Sequence, residues 1–301
     1  MADSSPGATV VVPTLNRGAY LIDTVRDLLA QDHRPLEILI VDQSDTVSPE
    51  LESLIEAHPD IISHHRVTFR GLPIARNFGW QTARHDLIVY VDDDIRCGPE
   101  LVRRYAVALT EWAGIVGGGI DETPAERAGR TGRFNRWLGF PEGDFQSTGV
   151  FSVDHVRGCN FAARREILRA AGGFDEWLNV GAALHEETEL MLRAGETGSD
   201  ILFDGGIRLT HLAASGGGTR QPDFQKYVFA LAHNRGIVIR RHSRWYQWPT
   251  GLAWSGKLMA AYTLHARDPR VAIAGVRGMI QGWRAGGRPP KCTRFEPDRS
   301  A

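Results

Sequence analysis

Three consecutive aspartates, Asp92, Asp93 and Asp94, follow the apolar run 87–91. Neighbouring carboxylates repel one another, so their juxtaposition costs free energy unless a cation or hydrogen-bond donors offset it. A divalent ion does so. Mg²⁺ or Mn²⁺ held by one or two carboxylates keeps coordination positions open for the oxygens of a substrate diphosphate. By itself the triplet reads equally well as a solvated acidic turn. Further along, Glu186, Glu187 and Glu189 crowd the start of an apolar-periodic segment. Such carboxylates can act as a general base, but a helix N-terminus also favours them through its dipole. Asp42 ends the run Ile40-Val41-Asp42, where it can accept from a base or ribose or close an Asx-turn. Arg76, in Ala75-Arg76-Asn77, carries the planar fork that suits a phosphate or base.

These residues need a scaffold, and the first 120 positions supply one. Short apolar runs alternate with helical patterns, the signature of a parallel sheet covered by helices. Strands are expected at 8–12, 36–41, 61–69 and 87–91, with helices at 21–30, from Ser48-Pro49 to about 57, and from Gly71-Leu72-Pro73 to about 83. Asp42 and Asp92 therefore fall at strand ends, where open α/β sheets keep their ligands. A helix opens at Gly98-Pro99 and a glycine-rich strand spans 115–120. Residues 121–149, with scattered Gly, Arg, Thr and Pro, read as a mobile loop or partial lid. A helix at 164–171 stops at Gly172-Gly173, another covers 186–194, and 201–209 is strand-like. The tail from 224 reads as helical.

The order of these motifs carries more information than any one of them. A strand with Pro13-Thr14-Leu15-Asn16-Arg17, a second ending in Val41-Asp42-Gln43-Ser44, the segment Leu72-Pro73-Ile74-Ala75-Arg76-Asn77 and a strand ending in the triplet resemble the nucleotide-binding half of the GT-A glycosyltransferases of family 2. Residues 157–165, leading to Gly172-Gly173-Phe174-Asp175-Glu176, are similar to the acceptor-side segment of that family, and His185-Glu186-Glu187-Thr188-Glu189-Leu190 is similar to its Glu-Asp-x-Asp-Leu motif. The resemblance covers about residues 8–215 and implies an α/β fold of GT-A type, a mixed sheet flanked by helices. The implied division is a transferase domain at 1–223, with its nucleotide half at about 8–120 and its acceptor half at about 150–215. A basic helical extension follows at 224–301.

The resemblance also implies an inverting transfer from a nucleoside-diphosphate sugar to an acceptor hydroxyl, in cell-envelope polysaccharide or other glycan synthesis. UDP is the first candidate nucleotide, with GDP or dTDP next. The implied acceptor is a glycan or a lipid-linked molecule. Pro13, Thr14, Asn16, Asp42, Arg76, Asp92 and Asp93 are carried over as donor-binding residues. Asp94, Asp92 and His211 become metal ligands for Mg²⁺ or Mn²⁺, and Gly158, Asn160 and Trp177 lie on the acceptor side. The family's base is the second acid of its pair, here Glu187. Glutamate replaces aspartate at that position, which leaves Glu186 as the alternative base and a non-catalytic nucleotide-sugar binder as the alternative function. Trp177 and Trp137 could stack on sugar rings or simply pack.

Several classes are excluded. The turn after the first strand lacks the G-x-G-x-x-G of a dinucleotide dehydrogenase and the basic glycine-rich loop of a nucleotidyltransferase. Arg244-Trp245 lacks the glutamine that a processive synthase places three residues before the arginine. Three widely spaced cysteines, Cys97, Cys159 and Cys292, fit neither a disulfide framework nor a zinc site, so a reducing cytoplasm is expected. No signal peptide or apolar stretch of spanning length is apparent. The net charge of -1 hides an asymmetry. Residues 224–301 hold 14 Lys/Arg against 3 Asp/Glu, whereas the remainder holds 21 against 33. With its tryptophans, that tail suits peripheral contact with an anionic membrane at the inner face of the plasma membrane, or a solvated helix face. Nucleic acid is not an expected partner.

Overall fold

The structure is a computed structural model that describes residues 6–111, 114–122, 127–214, 216–218 and 221–295. Its centre is a nine-stranded mixed sheet in the order β3 (Ile62–Arg66), β2 (Leu36–Asp42), β1 (Ala8–Thr14), β4 (Leu87–Val91), β10 (Asn160–Arg164), β6 (Gly114–Asp121), β11 (Asp200–His211) and β5 (Ile95–Cys97), with β9 (Val150–Ser152) on β11. The strands β1 (Ala8–Thr14), β2 (Leu36–Asp42), β3 (Ile62–Arg66) and β4 (Leu87–Val91) are parallel. β1, β2 and β4 are buried at every position, as continuous apolar runs require when helices cover both faces. The third strand is shorter than its expected span, because the chain leaves the ladder after Arg66.

The covering helices follow local signals. In α1 (Ala19–Leu29), Leu21, Ile22, Val25 and Leu28 face the sheet. α2 (Pro49–Ala57) starts with Ser48 accepting from the Leu51 N–H, and α3 (Leu72–Thr82) starts after Gly71 at φ 141°. Beyond β5 (Ile95–Cys97), α4 (Leu101–Glu111) leads into β6 (Gly114–Asp121).

Residues 121–149 differ from expectation. Where described, they form an antiparallel hairpin of β7 (Arg127–Asn135) and β8 (Phe140–Asp144) rather than a free loop. The register slips between Ala128 and Arg133, and Gly132 and Gly139 take positive φ, so alternation along each strand is broken and the pairing is hard to see in the sequence. The connection between the two strands is pinned from outside: Arg136 donates to the His242 carbonyl at 2.6 Å and Ser243 Oγ to the Arg136 carbonyl at 2.7 Å.

After β9 (Val150–Ser152), β10 (Asn160–Arg164) enters antiparallel between β4 and β6. α5 (Arg165–Ala170) ends at Gly172 and Gly173, both at positive φ as expected. α6 (Glu186–Glu196) and β11 (Asp200–His211) follow, the strand longer than its expected span at both ends. The tail is helical, as α7 (Phe224–His242), α8 (Trp248–Ala266) and α9 (Pro269–Gly286). It is stitched to the body: Asn234 donates to the Leu178 and Leu184 carbonyls, and Thr293 binds Glu176 through both its N–H and its hydroxyl. The three cysteines are free.

Candidate active site

Parallel strands deliver their C-terminal ends to one edge, and there the acids collect. Asp92 lies one residue beyond β4, with a side chain 30% exposed. Asp94 is nearly fully buried. Its Oδ1 is 3.3 Å from His211 Nε2, and its Oδ2 accepts from Arg17 Nη1 at 2.9 Å and from the Ala214 N–H at 2.8 Å. β5 pairs with the end of β11, His211 opposite Ile95, and so carries the histidine to the triplet. Asp92, Asp94 and His211 each offer a ligand atom within 4.8 Å of the others. Asp93 turns inward, where Thr14 Oγ1 donates to it at 2.7 Å. Of the three aspartates it alone stands outside the ligand set.

The electrostatics divide the triplet in the same way. Burial would raise the Asp94 pKa, but the His211 hydrogen bond and charge, with Ala214 and Arg17, hold it down to about 2. Burial pushes Asp93 up to about 7 despite Thr14 and Arg17. His211 would be lowered by burial, yet its hydrogen bonds to Asp94 and Glu122 raise it to about 10. Without a metal it thus stands as a cation beside Arg17, and a metal ion would take the place of its Nε2 proton. Two carboxylates and an imidazole around an anionic centre match the donor set of a divalent metal, and His211 Nδ1, 2.8 Å from Glu122 Oε1, has the carboxylate partner that orients a ligating histidine.

Three cavities run along this edge. One of about 440 Å³ is lined by Thr14, Asn16, Asp42 and Ser44, among others. Asp42 there accepts from the Ser44 N–H at 2.8 Å and lies 3.0 Å from His64 Nε2, and these partners lower its pKa although burial opposes them. A second, of about 360 Å³, is lined by Pro13, Thr14, Arg17, Asp92 and Asp93. The third, of about 730 Å³, is lined by Arg76, Asp92, Gly158, Glu186, Glu187 and His211. Thr14 is shared by the first two and Asp92 by the last two, so the cavities form a continuous row. Asn16, Ala183 and His185, non-glycine residues at positive φ, line it, and Ala213 precedes the Ala214 N–H bound to Asp94. Backbone strain of this kind collects at sites that the surrounding structure over-determines.

The adjacent glutamates have distinct fates. Glu186 is buried and ion-paired to Arg76, whose other nitrogen reaches Asp92 at 3.2 Å and the Gly158 carbonyl at 2.8 Å. Arg76 thereby holds three protein groups while it lines the widest of the three cavities. Glu187 lines the largest cavity, forms no salt bridge among the described residues, and has its pKa raised by burial against the pull of Arg76. Glu189 points away, into a buried set of cations.

Residues 9–172 match the family described as Glycosyl transferase family 2. The chain belongs to that family. Over 211 residues, 65% of the chain, it is 25% identical to the pre-mycofactocin glycosyltransferase of Mycobacterium tuberculosis. It spans 40% of the length of that relative. The glucosyl-dolichyl phosphate glucuronosyltransferase of Haloferax volcanii is 24% identical, with 67% of the chain and 68% of that protein covered. Among solved structures, GalNAc-T7 with UDP, GalNAc and Mn²⁺ superposes with a TM-score of 0.61 at 17% identity, over 89% of the chain and 59% of its own. The mannosyltransferase PcManGT from Pyrobaculum calidifontis, in complex with GDP-Man and Mn²⁺, gives 0.57 at 16% identity, over 93% and 87%. These likenesses establish the expected GT-A fold.

Within this family 2 chain, the residues carried over from the motifs mostly converge on the row of cavities. Two do not line it. Asn160 is fully buried, holding Tyr105 and the Gly119 and Ile207 carbonyls, and so braces β10, β6 and β11. Trp177 packs under Arg288 and donates to the Pro289 carbonyl. Trp137 is 52% exposed against Tyr246. Ser215, part of the glycine-rich segment after His211, lies outside the described residues. The motifs missed Glu122, one residue beyond β6, whose only sequence signal is that strand-end position. They also passed over Arg17 as a partner of the triplet, although it stands in the quoted Pro-Thr-x-Asn-Arg stretch.

Proposed function

We propose that this protein transfers a sugar from a nucleoside-diphosphate sugar to an acceptor hydroxyl with inversion at the anomeric carbon. The observation that carries the reading is the row of three cavities joined at Thr14 and Asp92, with one uncommitted carboxylate, Glu187, facing the widest. The nucleoside lies along Asn16 and Asp42, the diphosphate beside Pro13, Thr14, Arg17 and Asp92, and the acceptor in the cavity of Glu187. UDP is the first nucleotide to test, then GDP and dTDP.

Asp92, Asp94 and His211 would hold the metal, with Glu122 orienting the imidazole. An imidazole ligand favours Mn²⁺ over Mg²⁺, which prefers oxygen donors. When bound, the ion supplies Lewis-acid stabilisation of the departing diphosphate. Glu187 takes the proton of the acceptor hydroxyl as its oxygen bonds to the anomeric carbon, and the nucleoside diphosphate leaves from the opposite face. A raised pKa makes Glu187 a stronger base than an ordinary carboxylate. Arg76 holds Glu186, so the neighbouring base sits on a fixed helix start.

The test is donor turnover with Mn²⁺ across UDP, GDP and dTDP sugars, with the anomeric configuration of the product read by NMR. Retention of configuration, or undiminished turnover in Glu187→Gln, would refute the assignment. Metal-dependent nucleotide binding without turnover would make the protein a nucleotide-sugar binder instead.

A further inference from the structure

The tail carries a surface of unusual chemistry. α8 buries only Gly251 and Ser255 along its 19 residues, and it contains no acid. Trp254 and Leu264 are among its exposed positions, Leu264 at 77%, and Trp245 just before it is 74% exposed. On α9, Ile273, Val276 and Ile280 are each about half exposed, and their i, i+3, i+7 spacing sets them on one face. The reverse face of α9 is a stripe of small residues: Gly278 and Gly282 lie so close to the backbone of Phe229 and His233 on α7 that a Cβ could not fit. α9 is therefore held by close backbone packing through its glycines, and its large apolar side chains are left outside.

Charge surrounds this apolar face with one sign. Residues 224–295 contain 13 Lys/Arg and one acid, Asp268, which is occupied in capping α9. Arg244, Lys257, Arg267, Arg277 and Arg284 are exposed. Contiguous exposed apolar surface marks an interaction site, and a basic rim selects an anionic partner. No helix among the described residues is long and apolar enough to cross a membrane. An apolar helix with flanking cations and indoles gains instead from lying in the interfacial plane of a lipid layer.

We infer that the α8–α9 face docks on an anionic membrane surface. Tyr262 lines the widest of the three cavities from the side of α8 that faces α7, so the docked helix pair adjoins that cavity. If the proposed transfer holds, docking keeps Glu187 close to an acceptor anchored in the bilayer.

Docking is tested apart from transfer, by flotation of the full chain with vesicles of phosphatidylcholine, pure or with about 30 mol% phosphatidylglycerol. Binding to the anionic vesicles is expected to exceed binding to neutral ones by at least about tenfold and to fall as salt rises from about 50 to about 500 mM. Tryptophan emission should shift to the blue on binding. The double variant Arg277→Glu/Arg284→Glu is expected to lose about tenfold of this binding, and Leu264→Gln/Ile273→Gln to lose the blue shift, both with unchanged melting temperature. Equal flotation with neutral vesicles, or none with either, overturns the inference. So does a concentration-dependent dimer that Leu264→Gln/Ile273→Gln abolishes, because the face then belongs to a second copy. Loss of sugar transfer with binding intact refutes only the reading of the site.

Discussion

Two acidic clusters lie in this molecule, and they are finished differently. On the far side of α6, Glu189 and Asp175 are fully buried, and every carboxylate oxygen has a partner. Arg193 reaches both oxygens of Glu189 at 2.9 Å or less, Arg241 bridges Glu189 and Asp175, and His242 lies 3.6 Å from Glu189. The strand-end cluster is only partly closed, although Arg76 reaches Asp92 at 3.2 Å. Arg17 and His211 meet Asp94, while Asp92 is 30% exposed toward two cavities, and a step away Glu187 faces the same space without a salt bridge among the described residues. A closed set of buried ion pairs fixes a helix in place; an open set has valences left for a ligand. Two turns of α6 hold both kinds.

The contrast makes graded predictions. Glu187→Gln should cut the transfer rate by about 10²–10⁴-fold without lowering stability, since among the described residues the carboxylate it replaces forms no salt bridge and burial disfavours its charge. Steady-state kinetics beside urea unfolding separate the two effects, and equal damage to both would erase the distinction. Glu189→Gln should do the reverse, lowering unfolding stability by about 3–5 kcal/mol because Arg193 and Arg241 keep their charge and lose their partner. Nucleotide binding by the fraction still folded should be retained. Glu122→Gln should weaken Mn²⁺ binding by about 10–100-fold, measured by calorimetry, since it removes the carboxylate that orients His211.

Acidity sharpens the same line. Burial opposes ionisation of Glu189, but Arg193 and His242 more than compensate and lower its pKa below the ordinary range. Its contribution to stability is therefore complete above the ordinary carboxylate pKa and is lost as pH falls through the depressed one. Wild-type stability should decline in that acidic window, and Glu189→Gln should flatten the decline. Glu187 has the opposite shift, so the transfer rate should rise with pH through a value above that of a free glutamate, and the limb should vanish in Glu187→Gln. The smallest effect is expected of Trp137→Ala: about half exposed and away from the cavities, it should change neither turnover nor stability by more than about 0.5 kcal/mol.

Much of the scaffold was readable from residue order. A strand covered on both faces must be apolar throughout, and a helix on one face must be apolar in a stripe, so β1, β2, β4 and α1 declared themselves. Ser48-Pro49 and Gly172-Gly173 marked a helix start and a helix stop through local backbone chemistry that needs no distant partner. The hairpin at 127–144 was not readable, because a slipped register and two left-handed glycines break the period that strands otherwise show. Asp42, Asp92 and Glu187 could be named from their positions after strands and before a helix.

What the sequence by itself determined, then, is which elements form and which acids stand at their ends, since both depend on neighbours within a few residues. Which acids stay open was decided by tertiary structure alone. Arg76 meets Glu186 across 110 positions, Arg17 meets Asp94 across 77, and Glu122 meets His211 across 89. Such partners are assigned when β5 closes on β11 and α3 is laid against the start of α6, and spacing along the chain carries no record of it. The three glutamates that open α6 are equivalent in the sequence; packing leaves one paired to Arg76, one enclosed by arginines and one facing the cavity.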